Sequence, residues 1–176
     1  LVIPATGGTS LSSELRVMFC GSAGEGVQVA AELLAVAGIR AGLEATKKGS
    51  YPVTVGVGFS AAEVILSSEE INYTGTVTPD YMIVTSQEGL DYGRKAAGRM
   101  KSGKIFLDAS LEAPVTGAEV VKFPFREKVT GRNASFAGLF YFLGSTGVFP
   151  MEALVNAFNA NKISKKVTVD QFLNLF

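Results

Sequence analysis

The chain has 176 residues, 47% of them hydrophobic and 18% charged, and its 16 Lys and Arg residues balance 16 Asp and Glu residues. This length supports one hydrophobic core, and the zero net charge and short apolar runs argue against nucleic-acid binding and a membrane span. The single cysteine excludes an internal disulfide and a cysteine-ligated cluster, and the lack of histidine removes the commonest general base and metal ligand.

The first residues carry no periodic pattern. We expect residues 1–13 to be a disordered end or a cloning remnant, because they are rich in turn-forming residues and lack a basic region before an apolar one. We therefore expect one domain over residues 14–176.

A glycine-rich loop follows the first predicted strand, residues 15–20. The loop, residues 21–26, has the sequence GSAGEG and precedes an apolar helix that begins near Val27. Unpaired N–H groups at a helix start favour a bound phosphate or carboxylate, so we expect an anion near the N–H groups of residues 24–27. The alternatives are a tight turn without a ligand and close packing against a partner backbone. The glycine spacing is not the G-x-G-x-x-G dinucleotide pattern.

The next elements alternate between strands and helices. The predicted strands are residues 44–50, 53–66, 81–84, 104–107 and 119–125, the second with possible bulges at Gly56 and Gly58 and the last cut by Pro124. Thr85 and Glu88 form a predicted capping box for a helix that runs to about Lys101, before Gly103. This alternation predicts a layered α/β domain with a largely parallel sheet.

The last third is predicted to be helical. Residues 133–143 are apolar on nearly all sides, which is typical of a buried helix, and we expect Gly144 and Gly147 to end it. Pro150 is suited to the start of a helix over residues 151–159. Thr168 and Gln171 form a second predicted capping box, for a short terminal helix.

Several of these segments together carry a family resemblance. They are the loop 21–26, the AAELL of residues 30–34, Tyr51, the GVGFSAAEVILS run from Gly56, Ile71, and the Asn133 to Gly138 spacing. Over about residues 15–158 the chain resembles the gamma subunit of the 2-oxoacid:ferredoxin oxidoreductases, a family that includes the pyruvate, 2-oxoglutarate and indolepyruvate enzymes. The chain differs from the family loop G-x-G-G-Q-G at Ala23 and Glu25, and it has Gly56 where the family has arginine.

The resemblance implies a single three-layer α/β/α domain around a curled, mixed, mostly parallel sheet. It implies a cytoplasmic complex that decarboxylates a 2-oxoacid oxidatively with thiamine diphosphate, Mg²⁺, iron–sulfur clusters and coenzyme A. The implied partners are the alpha and beta subunits, the latter binding thiamine diphosphate, and a ferredoxin-like delta subunit; a homodimer is also possible. This chain lacks the cluster and thiamine diphosphate motifs, so we expect it to bind no cofactor alone and to be inactive alone.

Candidate ligand-binding residues follow from the strand ends, the glycine loop and the family pattern; no catalytic or metal-binding residue is predicted. They are Gly21, Ser22, Gly24, Gly26, Ser60, Thr85, Asp108 and Asn133. The ends at 21–24, 85–86 and 108–110 are expected to share one crevice, because ligands lie beyond the carboxyl ends of strands in open α/β sheets. The alternative is that these polar residues only cap helices and turn strands.

A basic cluster lies further along the chain. Lys122, Arg126, Lys128 and Arg132 could meet coenzyme A phosphates or an acidic partner face, or could simply be solvated.

Two other functions remain open at this stage. The chain could be a stand-alone ligand-binding or scaffolding protein that kept the fold. It could also be a nicotinamide-dependent dehydrogenase, which needs an acidic residue at the tip of the second strand for the ribose. Glu44 is close to the required distance in sequence but is expected at the start of that strand.

Overall fold

The computed structural model describes residues 14–52, 58–71 and 78–175. The expected disordered end therefore lies outside the described residues. Within them the strands are β1 (Glu14–Ser22), β2 (Glu44–Ser50), β3 (Phe59–Ser67), β4 (Tyr81–Val84), β5 (Lys104–Asp108) and β6 (Glu119–Phe123). The helices are α1 (Val27–Arg40), α2 (Gln87–Arg99), α3 (Phe125–Val129), α4 (Ala134–Thr146), α5 (Met151–Ala160) and α6 (Asp170–Leu173), with 3-10 turns at Gly131–Asn133 and Lys162–Lys165. None of the helices in these ranges is long and apolar enough to cross a membrane.

The strands form one mixed sheet in the order β2-β3-β1-β4-β5-β6. β3 pairs antiparallel with β1 and β2, whereas β1, β4, β5 and β6 pair in parallel. The predicted mixed, mostly parallel sheet is confirmed, while its curl stays a prediction. The chain leaves β1 toward one edge and β4 toward the other, so their adjacent carboxyl ends form the switch point where open α/β sheets bind ligands.

Helices cover both faces of the sheet, as the three-layer prediction requires. Successive residues of β1 point to opposite faces: Val17 and Phe19 join the larger core with α1, α4, α5 and α6, and Cys20 joins the smaller core under α2. Nine residues of α4 are buried, which confirms the prediction from its apolar sequence.

Burial, together with the nearby charge of Glu63, raises the pKa of the Cys20 thiol to about 12, so the thiol is neutral and inert at pH 7.

The predicted cap of α2 is wrong by one residue. Thr85 is fully buried, and its N–H donates to the Cys20 carbonyl oxygen at 3.0 Å, so it continues the pairing of β4 with β1. Ser86 is the N-cap instead, because its Oγ accepts from the Gly89 N–H at 3.1 Å. The helix ends at Arg99, before the predicted end at Lys101.

The structure also differs from the predicted ends of α6, α4 and β3. The predicted capping box at Thr168 is wrong, because Val169 occupies the N-cap of α6 without a side-chain bond and burial of Phe172 holds this short helix. Gly147, in the left-handed conformation, ends α4, whereas Gly144 lies inside the helix. Of the predicted strand 53–66, residues 53–57, including Gly56, lie outside the described residues; Gly58 has φ +91°, which suits a turn into β3.

Two glycines let α2 lie directly on β1. A Cβ on Gly89 would be 2.5 Å from both the Cys20 carbonyl oxygen and the Gly21 nitrogen. A Cβ on Gly93 would be 2.9 Å from the Cys20 sulfur. The first turn of α2 is therefore held against the end of β1, and this contact brings Ser86 next to the glycine loop.

We predict opposite effects for two glycine-to-alanine changes in α2. Gly89→Ala should lower the free energy of unfolding by about 1–3 kcal/mol, because the added methyl group overlaps the β1 backbone. Gly98→Ala should raise it by about 0.5–1 kcal/mol, because the nearest atom to its Cβ, the Val115 carbonyl oxygen, is 3.8 Å away and alanine favours helices. Urea unfolding measures both changes; a Gly89→Ala variant as stable as the wild type would contradict the close approach.

Candidate functional site

The carboxyl ends of β1, β4 and β5 open into a common cavity, as the sequence predicted. We call this cavity of ≈ 320 Å³ the strand-end cleft. Its described lining residues are Ser22, Ser86, Gln87, Glu88, Ser110, Leu111 and Arg126. The chain supplies hydroxyl, amide, carboxylate and guanidinium groups here, which suits recognition of a polar molecule or segment.

A small hydrogen-bonded group forms one wall of the strand-end cleft. The Oγ of Ser22, the last residue of β1, lies 2.8 Å from Ser86 Oγ and donates to Glu88 Oε1 at 2.9 Å. Ser86 also caps α2, so the same hydroxyl orients the helix and the wall of the cleft. Ser22 thus has a defined orientation, and Glu88 is a carboxylate that sequence reasoning placed only in a capping box.

Arg126 also lines the cleft and connects the ends of three strands. Its guanidinium makes a bidentate pair with Glu25, with Nη1–Oε1 at 2.7 Å and Nη2–Oε2 at 3.0 Å, and Nη1 also donates to the Thr85 carbonyl oxygen. Its backbone N–H donates to Asp108 Oδ1 at 2.9 Å. Asp108 is buried and also accepts from Ser110, so it positions Arg126 and does not face the cleft as a free acid.

The ion pair changes the charge of the glycine loop. Hydrogen bonding to Glu25 is the main reason that the pKa of Arg126 is raised above its ordinary value, so the guanidinium stays charged. Gly131 makes room for the pair, since a Cβ there would lie 2.5 Å from Arg126 Nη2. The carboxylate of Glu25, which would repel an anion bound at the loop, is therefore held and neutralised by Arg126.

A second cavity lies on the other side of the loop. This glycine-loop pocket has a volume of ≈ 470 Å³. Its described lining residues are Gly24, Gly26, Val29, Arg132, Asn133, Phe136, Ile163, Lys166 and Val167. Three predicted site residues, Gly24, Gly26 and Asn133, lie together here, with two cations at the edge.

The loop geometry leaves donors available to this pocket. Ala30 N–H makes the first helical bond, to the Gly26 carbonyl oxygen, and in the described part of the chain the N–H groups of Val27, Gln28 and Val29 have no backbone acceptor. A Cβ on Gly24 would meet nothing within 4 Å, whereas a Cβ on Gly26 would lie 2.9 Å from the Phe136 ring. Gly26 therefore serves packing inside the chain, and Gly24 leaves the loop open to an outside group.

The remaining predicted residues lie behind the two cavities. A Cβ on Gly21 would be 2.7 Å from Thr85 Oγ1, so this glycine allows close packing of β1 and β4. The buried Thr85 Oγ1 has no hydrogen-bond partner in the described residues. Ser60 is buried and accepts from Gln28 Nε2 at 2.9 Å. Neither Thr85 nor Ser60 is a described lining residue of either cavity.

The predicted basic cluster is not one surface. Arg126 is paired at the strand-end cleft, and Arg132 lines the glycine-loop pocket. Lys166, which lines the same pocket as Arg132, comes from the C-terminal segment and was not predicted. The sequence did contain one indication of the pairing between Glu25 and Arg126. A glutamate in a loop that favours anions needs a compensating cation.

The fold and the site together define a class of protein: an α/β/α domain with a glycine loop at the switch point of a mixed sheet. The chain belongs to the pyruvate ferredoxin/flavodoxin oxidoreductase family, whose model matches residues 16–173. It is therefore part of an oxidoreductase, and the resemblance noted from its motifs is confirmed. A comparison with curated protein sequences gives no match.

Solved structures show the same fold. The keto/oxoacid ferredoxin oxidoreductase gamma subunit from Geobacter sulfurreducens PCA has a TM-score of 0.74 and 21% identity, with 92% of this chain and 94% of that chain covered. Pyruvate oxidoreductase subunit PORC from Thermotoga maritima has a TM-score of 0.69 and 16% identity, with 92% and 90% covered. The 2-oxoglutarate:ferredoxin oxidoreductase from Magnetococcus marinus, solved with 2-oxoglutarate, coenzyme A and succinyl-CoA, has a TM-score of 0.79 and 18% identity; 92% of this chain matches 29% of that longer chain.

We predict that Glu25 and Arg126 are energetically coupled. In a double-mutant cycle of Glu25→Gln and Arg126→Met, the coupling should be about 1 kcal/mol, because the pair is bidentate but Arg126 is 36% exposed. The exposed pair of Asp91 and Arg94 is the control, with an expected coupling below about 0.5 kcal/mol. Equal coupling in the two cycles, measured by urea unfolding, would show that the loop does not depend on this ion pair.

We also predict that the glycine-loop pocket binds an anion. Millimolar phosphate or coenzyme A should raise the melting temperature of the wild type. The reason is that ligand binding to the folded state raises the free energy of unfolding by RT ln(1+[L]/Kd). Arg132→Gln with Lys166→Gln should remove most of this shift, whereas Lys95→Gln with Lys101→Gln, on and just after α2, should leave it unchanged. No ligand-dependent shift in a folded wild type would leave the loop with a packing role alone.

Proposed function

We propose that this chain is the gamma subunit of a cytoplasmic 2-oxoacid:ferredoxin oxidoreductase that carries out coenzyme A-dependent oxidative decarboxylation. The observation that carries the proposal is the family match over residues 16–173. The fold supports it, because the chain covers 94% of the Geobacter gamma subunit and is itself covered over 92% of its length. In this proposal the chain works with alpha, beta and ferredoxin-like delta subunits.

The subunit borders a shared site and is not catalytic alone. Polar groups of the strand-end cleft already have partners within the chain, since Ser22 donates to Glu88 and Arg126 pairs with Glu25. Asp108 is likewise occupied by Ser110 and Arg126. These contacts make a preorganised wall, which can orient a neighbouring subunit or substrate without moving a proton itself.

The cofactors of such an enzyme differ in how well they fit this chain. The glycine-loop pocket fits phosphate groups, because Arg132 and Lys166 line it and the Cβ direction of Gly24 is open. When bound, coenzyme A would supply the thiol that accepts the acyl group, and these residues would hold its phosphates. Iron–sulfur clusters do not fit, since the sequence has one cysteine and it is buried. For thiamine diphosphate, the described residues contain no group of acidic, histidine or cysteine side chains that could hold its metal ion.

The structure argues against the nicotinamide alternative. Glu44 begins β2 and pairs with Ser67, which in turn pairs with Glu14 at the start of β1. The glycine loop follows Ser22, at the opposite end of β1. Glu44 thus lies level with the amino end of β1, whereas the glycine loop follows the carboxyl end. It is therefore too far along the strands to meet a ribose beside the loop.

The experiment is reconstitution of this chain with candidate alpha, beta and ferredoxin-like delta subunits from the same organism. We expect no 2-oxoacid-dependent reduction of viologen or ferredoxin by the purified chain, with or without coenzyme A. The assembled complex should be active and should lose most of its activity when this chain is omitted. Activity from the chain alone would refute the assigned role. A chain that binds ligand but joins no complex would support a stand-alone binding protein instead.

A further inference from the structure

A third cavity adjoins the glycine-loop pocket and shares Val29, Ile163 and Lys166 with it. This cavity, which we call the lysine pocket, has a volume of ≈ 490 Å³. Its described lining residues are Val29, Asn161, Lys162, Ile163, Lys165 and Lys166. Three cations thus surround two apolar side chains, and no described lining residue is acidic.

Within the described part of the chain, the three lysines of this pocket have no ion-pair partner. Lys162, Lys165 and Lys166 are exposed, and none of them makes an ion pair with a described carboxylate. Like charges so close in sequence repel one another, which costs free energy in the isolated chain unless solvent or a partner screens them. The pocket is therefore electrostatically complementary to carboxylates supplied from outside.

The backbone under the lysines is well fixed. Asn161 Oδ1 accepts from the Ile163 N–H at 2.9 Å, and Ser164 Oγ donates to the Asn161 carbonyl oxygen at 2.8 Å. The N–H groups of Lys166 and Val167 both donate to the Ile163 carbonyl oxygen. A rigid turn that presents charges in a fixed arrangement reduces the entropy lost on binding.

The arrangement favours a protein segment over a small molecule. Small-molecule sites place buried polar groups so that they converge on the ligand, whereas here all three charges lie at an exposed edge. Val29 and Ile163 are half-buried and form an apolar floor between them. An apolar centre with a charged rim is the usual anatomy of a protein interface.

We propose that the lysine pocket docks an acidic segment of a partner subunit, with an apolar side chain of that segment against Val29 and Ile163. This inference rests on the proposed function, because it requires a complex. The carboxylates of the segment meet Lys162, Lys165 and Lys166, which steer the encounter and fix its register. The glycine-loop pocket shares Val29, Ile163 and Lys166 with this surface, whereas Lys162 and Lys165 line the lysine pocket alone.

The test is zero-length cross-linking of the reconstituted complex with a carbodiimide, which joins a lysine amine only to a carboxylate in direct contact. We expect peptides that link Lys162, Lys165 or Lys166 to Asp or Glu of a partner subunit, and none from Lys95 or Lys101. Acetylation of the three lysines should also be slower in the complex than in the free chain.

A charge-reversal variant gives a second measurement. Lys162→Glu, Lys165→Glu and Lys166→Glu together should lower the association rate by roughly tenfold or more at low salt, with a weaker salt dependence. The control of equal charge change is Lys95→Glu, Arg99→Glu and Lys101→Glu, on and just after α2, which should associate as the wild type does.

Three other outcomes would each overturn the docking proposal. An active complex whose three lysines react as freely as in the free chain overturns the docking proposal and leaves the proposed function intact. Lys166 also lines the glycine-loop pocket, so Lys162 and Lys165 are the lysines that discriminate. If coenzyme A or phosphate alone protects Lys162 and Lys165 in the isolated chain, the pocket is a small-anion site and the proposal is wrong. If no partner subunit joins the wild type, the proposed function and this inference both fail.

Discussion

The bidentate pair of Glu25 and Arg126 is the interaction on which the site depends. It joins the glycine loop after β1 to the segment after β6, and the same arginine donates to the end of β4 and is positioned by Asp108 at the end of β5. The guanidinium and the backbone N–H of this one residue thereby connect the ends of β1, β4 and β5 to the segment after β6. A glutamate in this loop would otherwise lower its affinity for anions; paired, it becomes the anchor that holds the loop in place.

Close backbone contact is the second constraint. Gly21, Gly89 and Gly138 lie where a methyl group would overlap Thr85, the β1 backbone and Ile83 respectively. These contacts seat α2 and α4 on opposite faces of β1 and β4, next to the switch point. The glycines near the site therefore have different roles, since Gly24 makes no such contact and faces open space.

The three cavities differ in the groups that line them, although two of them share Val29, Ile163 and Lys166. The polar groups that line the strand-end cleft have partners within the chain. The glycine-loop pocket combines helix donors with two cations, and the lysine pocket presents charge around an apolar floor. In the role proposed above, at a site shared with other subunits, such surfaces matter more than reactive groups of the chain's own. The Cys20 thiol is inert and the sequence has no histidine, so two of the usual reactive side chains are not offered by this chain.

The sequence alone determined the local elements and the family. Periodicity and glycine spacing predicted β1, α1 and α4, because these depend on neighbouring residues, and the strand-end rule correctly placed Ser22, Ser86 and Ser110 around one crevice. Only the tertiary structure decided which charges meet. Glu25 and Arg126 are 101 residues apart, and Lys166 reaches the glycine loop through α5 packed on α1, so no local pattern could reveal either contact. The cap of α2 shifted from Thr85 to Ser86 for the same reason, since pairing with β1 took the backbone of Thr85 into the sheet.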